Sequence, residues 1–348
     1  MLRLTDYAYD LPEEQIAQEP APRRDASRLL VLERVSGEIA HRAFVELPQL
    51  LAPGDLLVVN DTKVVPARLL GRKRSGGRAE ILLLEATGEA TWRALLAHAP
   101  AAGGVVDLGQ GVSATVLARD GEMGTVQLSA GGGDLSAALE RLGKTPLPPY
   151  VRRAPGDPRE AADRERYQTV FARHPGAAAA PTAGLHFTPE VLERLAARGV
   201  ERTAVTLHVG PGTFLPFRDA EVSDDHRLHE EPFEVPEEAA AAIAAARARG
   251  GRVVAVGTTV ARTLETVAGE DGTVRASSGR TRLFLRPGSR FRAVDALLTN
   301  FHLPRSSLLL LVCAFAGREH ILAAYREAVA AGYRFYSYGD AMLVHGPR

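Results

Sequence analysis

The chain has 348 residues, 45% hydrophobic and 24% charged, with 42 basic side chains balanced by 42 acidic ones. That is an ordinary globular balance in a chain long enough for a large core, and it excludes wholesale disorder. A net charge of +0 supplies no overall field for polyanions, so any nucleic-acid contact must come from local basic patches.

The one cysteine, Cys313, excludes a disulfide framework and a thiolate zinc site, and fits a reducing cytoplasm. The N-terminal MLRLTDYAYDLPEE lacks the apolar core of a signal peptide. The longest apolar run, Leu308–Ala316, is too short to span a bilayer and reads as a buried strand or helix start. The expectation is a cytoplasmic protein without membrane contact.

In chain order, Arg28–Phe44 alternates apolar and polar residues around Ser36-Gly37, a hairpin signal, and Gly54–Asn60 is a short apolar strand. From Val64 to Thr145 short β-like runs (AEILLLEA, ATWRALLAHA, VSATVLAR, GTVQLSA) alternate with glycine-rich turns, which predicts a small barrel or sandwich. Gly131-Gly132-Gly133-Asp134 reads as a loop rather than a phosphate cradle. Pro146–Pro158 is a stiff proline-rich connector. Beyond it the pattern is α/β. Thr188 caps a helix opened by Pro189, Val200–His208 is a strand, and Pro236–Arg249 is an alanine-rich helix. Arg252–Val256 is a strand, Val260–Val267 a helix, and Arg318–Ala331 a helix stopped at Gly332. The fold class is α/β: a barrel-like α/β large domain, residues 1–63 and 146–348, with a small antiparallel β-barrel, residues 64–145, inserted in it.

Functional groups of such folds collect where strands end. Four polar clusters fall there: Pro181–Thr188, Thr206–Phe214, Asp225–Glu231 and Thr299–Ser307. They carry His186, His208, His226, His229, Glu231 and His302, a proton-transfer inventory near neutral pH. Each such histidine taken alone is more often a hydrogen-bonded structural one. His226, His229 and Glu231 also resemble a metal set, but the His-x-x-His-x-Glu spacing is a poor zinc signature, so no metal is expected. Gly257-Thr258-Thr259 opens a helix whose free N–H groups suit a carboxylate, and Arg262 lies one turn on, with Glu265 as a possible surface partner. Three arginine-rich segments, Arg68–Arg78, Arg152–Arg166 and Arg280–Arg292, are solvated faces or phosphate tracks; alternation puts Arg280 and Arg282 on one side of a strand.

The strings RDASRLLVL, GDLLVVNDTKVVPARLLG, PLPPYVRR, DRERYQTVF, AAPTAGLHF, TLHVGPGTF, HRLHEE, AVGTTVARTLE, VDALLTNFHLPRSSLLLLVCAFAG and RFYSYGDAMLV follow one another along the whole chain. In order and density the chain resembles the S-adenosylmethionine:tRNA ribosyltransferase-isomerases of queuosine biosynthesis. Glu230 stands at what looks like a serine position, which carries the acidic role to Glu231. The resemblance implies transfer of the ribosyl carbons of S-adenosylmethionine to 7-aminomethyl-7-deazaguanine at the wobble position of tRNA. It implies rearrangement to an epoxycyclopentane, with adenine and methionine released. S-adenosylmethionine is then a cosubstrate, no cofactor is required, and the enzyme is expected to be a monomer. Catalysis is expected of the five histidines and Glu231. Substrate binding is expected of Arg68, Thr182, Thr258, Thr259, Arg262, Asn300 and Asp340, and tRNA contact of Arg152, Arg153, Arg280 and Arg282. The competing readings are a metal-dependent hydrolase, a methyltransferase and a non-enzymatic RNA-binding protein.

Overall fold

A computed structural model describes residues 2–154, 156–210, 217, 221–222 and 228–347. Its centre is a nine-stranded mixed sheet. The strands run in the order Ser277–Thr281, Glu231–Val235, Glu201–Leu207, Leu56–Asn60, Val253–Val256, Ala296–Asn300, Ala341–His345, Arg28–Glu33 and Ile39–Ala43. Four neighbouring strands, from Glu201–Leu207 to Ala296–Asn300, run parallel to one another. Three of them (LLVVN, VVAV and ALLTN) are buried along their whole length. Continuous apolar strands of this kind require cover on both faces.

That cover is present. Helix Pro189–Ala197 packs with Phe44, Leu47 and Phe187 on one face. Helices Glu237–Ala248, Thr258–Val267, Ser307–Ala316 and Arg318–Ala330 contribute to the cluster on the other. The apolar run Leu308–Ala316 is thus a core helix, capped by Ser306, whose hydroxyl accepts from Leu309 N. Among the described residues no single helix is long and apolar enough to cross a membrane. Thr188 caps its helix through Val191 N, as the sequence suggests, and Gly37 turns the hairpin between Arg28–Glu33 and Ile39–Ala43 at φ 77°.

The glycine-punctuated block closes into a six-stranded antiparallel barrel, Val112–Asp120, Met123–Ser129, Thr91–Ala97, Arg78–Ala86, Arg68–Lys73 and Val105–Gly109. Alternate residues, including Leu69, Ile81, Leu96, Val106, Val116 and Val126, fill its interior. Two of these strands lay hidden in the sequence. Arg68–Lys73 is masked by its basic residues, and Val105–Gly109 by its shortness. The Gly131–Asp134 loop leads into a helix the sequence reading missed, Leu135–Leu142, whose first N–H groups are capped by Asp134. The barrel's first strand and the chain leaving it are paired: Arg68 N donates to Lys144 O at 3.2 Å and Lys144 N to Arg68 O at 2.8 Å. The strands Arg28–Glu33 and Leu56–Asn60, from before the barrel, sit in the same sheet as those from after it.

Candidate active site

The parallel strands end together at one rim, where ligands of open α/β sheets bind. Asn60, Leu207, Val256 and Asn300 are their last residues. The antiparallel neighbours start at the same rim, which brings Glu231 and Asp340 there as well. Asn60 ties the rim. Its Oδ1 accepts from Thr62 N and Leu207 N, and its Nδ2 donates to Leu207 O and Thr259 Oγ1.

Between the rim and the barrel lies a cavity of about 1060 Å³. Leu83, Glu85, Trp92 and Met123 face it from the barrel, and Leu139 from helix Leu135–Leu142. His208, His229, Glu231, Arg262 and Arg280 face it from the sheet side.

His208 is half-buried. Its Nδ1 lies 2.8 Å from Thr62 Oγ1, and its ring packs against the bare backbone of Gly176, where a Cβ would come within 2.7 Å of Nδ1. Burial, then neighbouring His174, push its pKa below 6.5, with Asp61 opposing. The neutral form of the imidazole is thereby favoured. Asp61, buried, accepts from Thr206 Oγ1 at 2.7 Å and faces His174 Nε2 at 3.5 Å.

Glu231 and Arg262 form a buried pair at the cavity wall. Arg262 Nη1 donates to Glu231 Oε2, and Gly210 N donates to Oε1 at 2.9 Å. Arg262 Nε donates to Leu283 O at 3.1 Å. Glu265 is not the partner of Arg262; it accepts from the backbone N–H groups of Arg292, Ala293 and Val294.

Several expected members of the site lie elsewhere. His186 is buried with both nitrogens engaged, Nδ1 with Ser27 Oγ at 2.7 Å and Nε2 with Asn300 Oδ1 at 3.3 Å, and it stacks on Phe44. Burial pushes its pKa down to about 4, against the Asn300 bond. His302 turns inward to Thr299 Oγ1 at 2.8 Å, and burial pushes its pKa down to about 3. Neither borders the large cavity, which corrects the expectation that all the histidines converge there. His302, Thr182 and Asn300 instead line a separate pocket of about 40 Å³ with Tyr336 and Ser337. Leu308 borders both cavities. His226 and Pro211–Phe214 lie outside the described residues.

Thr258 and Thr259 are buried at their helix start and do not line the large cavity, so the expected carboxylate position is covered. Asp340 takes backbone N–H groups of Arg28 and Arg334 on its two oxygens and holds two chain segments together. Arg68 is fixed on the barrel by two bonds to Glu80, at 2.7 and 2.9 Å, and does not line the cavity.

The arginines sort by burial. Arg152 is exposed beside Glu13. The side chain of Arg153 is 5% exposed and paired with that of Asp163, itself 3% exposed, at 2.6 Å, which marks it as a structural residue and not the phosphate contact expected from the sequence. Arg280 and Arg282 both reach Glu230, at 3.1 and 2.9 Å, and Arg280 also bonds barrel Glu85 at 2.7 Å. Exposed His229 borders the cavity mouth with Arg282 and Arg93. No group of three His, Cys, Asp or Glu side chains fit to hold a metal occurs among the described residues.

Thr62, Ser27, Asn60 and Gly176 belong to this polar framework and escaped the sequence reading. The signal was thin: a polar residue ending an apolar strand in LLVVNDT.

A family model described as queuosine biosynthesis protein matches residues 4–344. The chain is 63% identical over 348 residues to the S-adenosylmethionine:tRNA ribosyltransferase-isomerase of Anaeromyxobacter sp. (strain Fw109-5), covering 99% of each. It is 53% identical over 350 residues to the protein of the same name from Geobacter metallireducens, covering 99% of this chain and 100% of that one. Among solved structures it is similar to the crystal structure of S-adenosylmethionine tRNA ribosyltransferase from Thermotoga maritima, at 39% identity and a TM-score of 0.56, over 97% of this chain and 99% of that one. The motif strings and these matches agree, and the chain belongs to the queuosine biosynthesis protein family.

Proposed function

We propose that the chain is an S-adenosylmethionine:tRNA ribosyltransferase-isomerase that acts on 7-aminomethyl-7-deazaguanine at the wobble position of tRNA. It moves the ribosyl carbons of S-adenosylmethionine onto that base and rearranges them to an epoxycyclopentane, with adenine and methionine as the other products. The protein works as a cytoplasmic monomer. S-adenosylmethionine is consumed as a cosubstrate, and the proton and leaving-group chemistry calls for no redox cofactor.

One observation carries the catalytic reading: a neutral, anchored imidazole at the wall of a cavity large enough for a nucleoside-sized ligand. In the tautomer whose Nδ1–H donates to Thr62 Oγ1, Nε2 keeps its lone pair and is the nitrogen that acts as a base. A sulfonium acidifies its neighbouring C–H. His208 takes that proton, and the electron pair stays on the carbon beside the positive sulfur. Methionine departs as a neutral thioether, and adenine takes up a proton as it leaves.

The test is incubation with S-adenosylmethionine and tRNA carrying the precursor base, followed by nucleoside mass spectrometry and analysis of the small products. Epoxyqueuosine, adenine and methionine are expected. Accumulation of S-adenosylhomocysteine would mean methyl transfer and would overturn the proposal, as would an unaltered nucleoside.

A further inference from the structure

Arg262 is an incompletely satisfied cation of the cavity wall. Its side chain is 4% exposed, and Nε and Nη1 are bonded to Leu283 O and Glu231. Its Nη2 is buried and has no hydrogen-bond partner among the described residues. Buried guanidinium N–H groups are normally paired, and an unpaired one is costly. Arg262 lines the cavity beside Gly210 and Glu231, so a small outward turn of the guanidinium would offer Nη2 to a ligand group there.

We propose that Arg262 and Glu231 recognise the amino-acid end of the cosubstrate. Nη2 of Arg262 takes the α-carboxylate, and Glu231 faces the α-ammonium. This rests on the reading that S-adenosylmethionine occupies the cavity. The charges fit. The Arg262–Glu231 pair is neutral as a unit, and so is an α-amino acid zwitterion, so binding adds no net charge to a buried wall. A carboxylate offers about four acceptor positions, and Gly210 N and Arg262 Nη1 use two of those on Glu231. An ammonium can take the rest. The same bonds hold Glu231 as a binding group, which moves it out of the catalytic role expected from the sequence and leaves proton removal to His208. The carboxylate position also moves, from the covered helix start at Thr258 to Arg262.

The test is calorimetric binding of S-adenosylmethionine and of decarboxylated S-adenosylmethionine to the full-length protein and to Arg262→Gln, with melting temperature as the check on folding. The wild type should prefer the carboxylate by about 10- to 100-fold, the size of one charge-assisted hydrogen bond. R262Q should bind the two ligands within a factor of about three. Glu231→Gln, which leaves the guanidinium in place, should keep the preference and is the second variant if R262Q does not fold. A preference undiminished in R262Q, or lost in a folded E231Q, overturns the subsite while leaving the transferase reading intact. A wild type that binds neither ligand overturns both. A wild type that binds with the expected preference but yields no modified nucleoside overturns the transferase reading alone.

Discussion

Thr62 holds the Nδ1 edge of His208 at 2.8 Å while Gly176 leaves room for the ring behind it. If His208 is the base, it must be both unprotonated and aimed, and these two neighbours would do the aiming. His208→Ala should lower turnover by roughly 10² to 10⁴. It should keep the thermal shift given by S-adenosylmethionine, because that shift follows affinity and not chemistry. Thr62→Val should lower turnover less, and Gly176→Ala should act like a displaced His208. Near-normal turnover in H208A would remove the residue from the mechanism.

The pH profile follows from the same site. Burial lowers the His208 pKa, so the acid limb of kcat/KM should lie below pH 6.5, with activity rising as the ring loses its proton. Asp61 opposes that shift, so Asp61→Asn should move the limb further toward acid. Steady-state rates between pH 5 and 8 read this directly, and a limb above pH 6.5 in the wild type contradicts it.

His186 and His302 make folding stability depend on pH with a definite sign. Their folded pKa values, about 4 and about 3, lie below the unfolded value of 6.5, so below pH 6.5 the unfolded chain binds more protons. Their contribution is complete above pH 6.5 and is lost as pH falls through about 4 for His186 and about 3 for His302, on the order of 3–5 kcal/mol for each ring. Denaturation midpoints between pH 7 and 4 should fall steeply, and His186→Gln should flatten that fall. An equally steep fall in the variant would exclude His186 as the source.

Arg153 and Asp163 are a structural pair. Asp163 accepts Nε and Nη2 of Arg153 at 2.6 and 3.0 Å, and also the hydroxyl of Tyr338 at 2.9 Å. Arg153→Ala leaves a buried carboxylate without its cation, and should cost about 3–5 kcal/mol in stability. It should leave the salt dependence of tRNA binding unchanged. A shallower salt slope would return Arg153 to the RNA surface.

Arg280 links the barrel to the sheet edge through Glu85 and Glu230, so its charge is already compensated. If the mouth guides RNA, Glu85→Gln with Glu230→Gln should tighten tRNA binding at low salt. Arg280→Ala with Arg282→Ala should make the log–log salt slope shallower by about 0.7 to 0.9 per lost phosphate contact. Fluorescence anisotropy across a salt series measures both, and an affinity unaltered in the first pair with a slope unaltered in the second would place the RNA elsewhere.

The sequence showed the scaffold better than the site. Period and punctuation revealed the hairpin around Gly37, the Thr188-capped helix and the change of texture at the barrel, because those signals are local. Strand ends likewise pointed to His208, Glu231 and Arg262. Side-chain direction is not local. His186 and His302 sit in the same kind of strand-end motif as His208, yet turn inward because Ser27 and Thr299 offer partners there. Arg262 looked like the neighbour of Glu265 by helical spacing, but the fold brings Glu231 from another strand to it. Arg153 and Arg152 are adjacent in sequence and opposite in burial.

Arg68 and Lys144 exchange backbone hydrogen bonds, so 75 residues of intervening chain leave and return at one spot. A protein with those residues replaced by a tight turn of about two to four residues would face no geometric obstacle to forming the same sheet. The barrel is in this sense a replaceable cassette. The sheet could keep its histidines, and the arginine and glutamate beneath them, while exchanging one roof for another. If the barrel selects the nucleic acid and the sheet carries the chemistry, altering that choice requires redesigning only one contiguous stretch of gene.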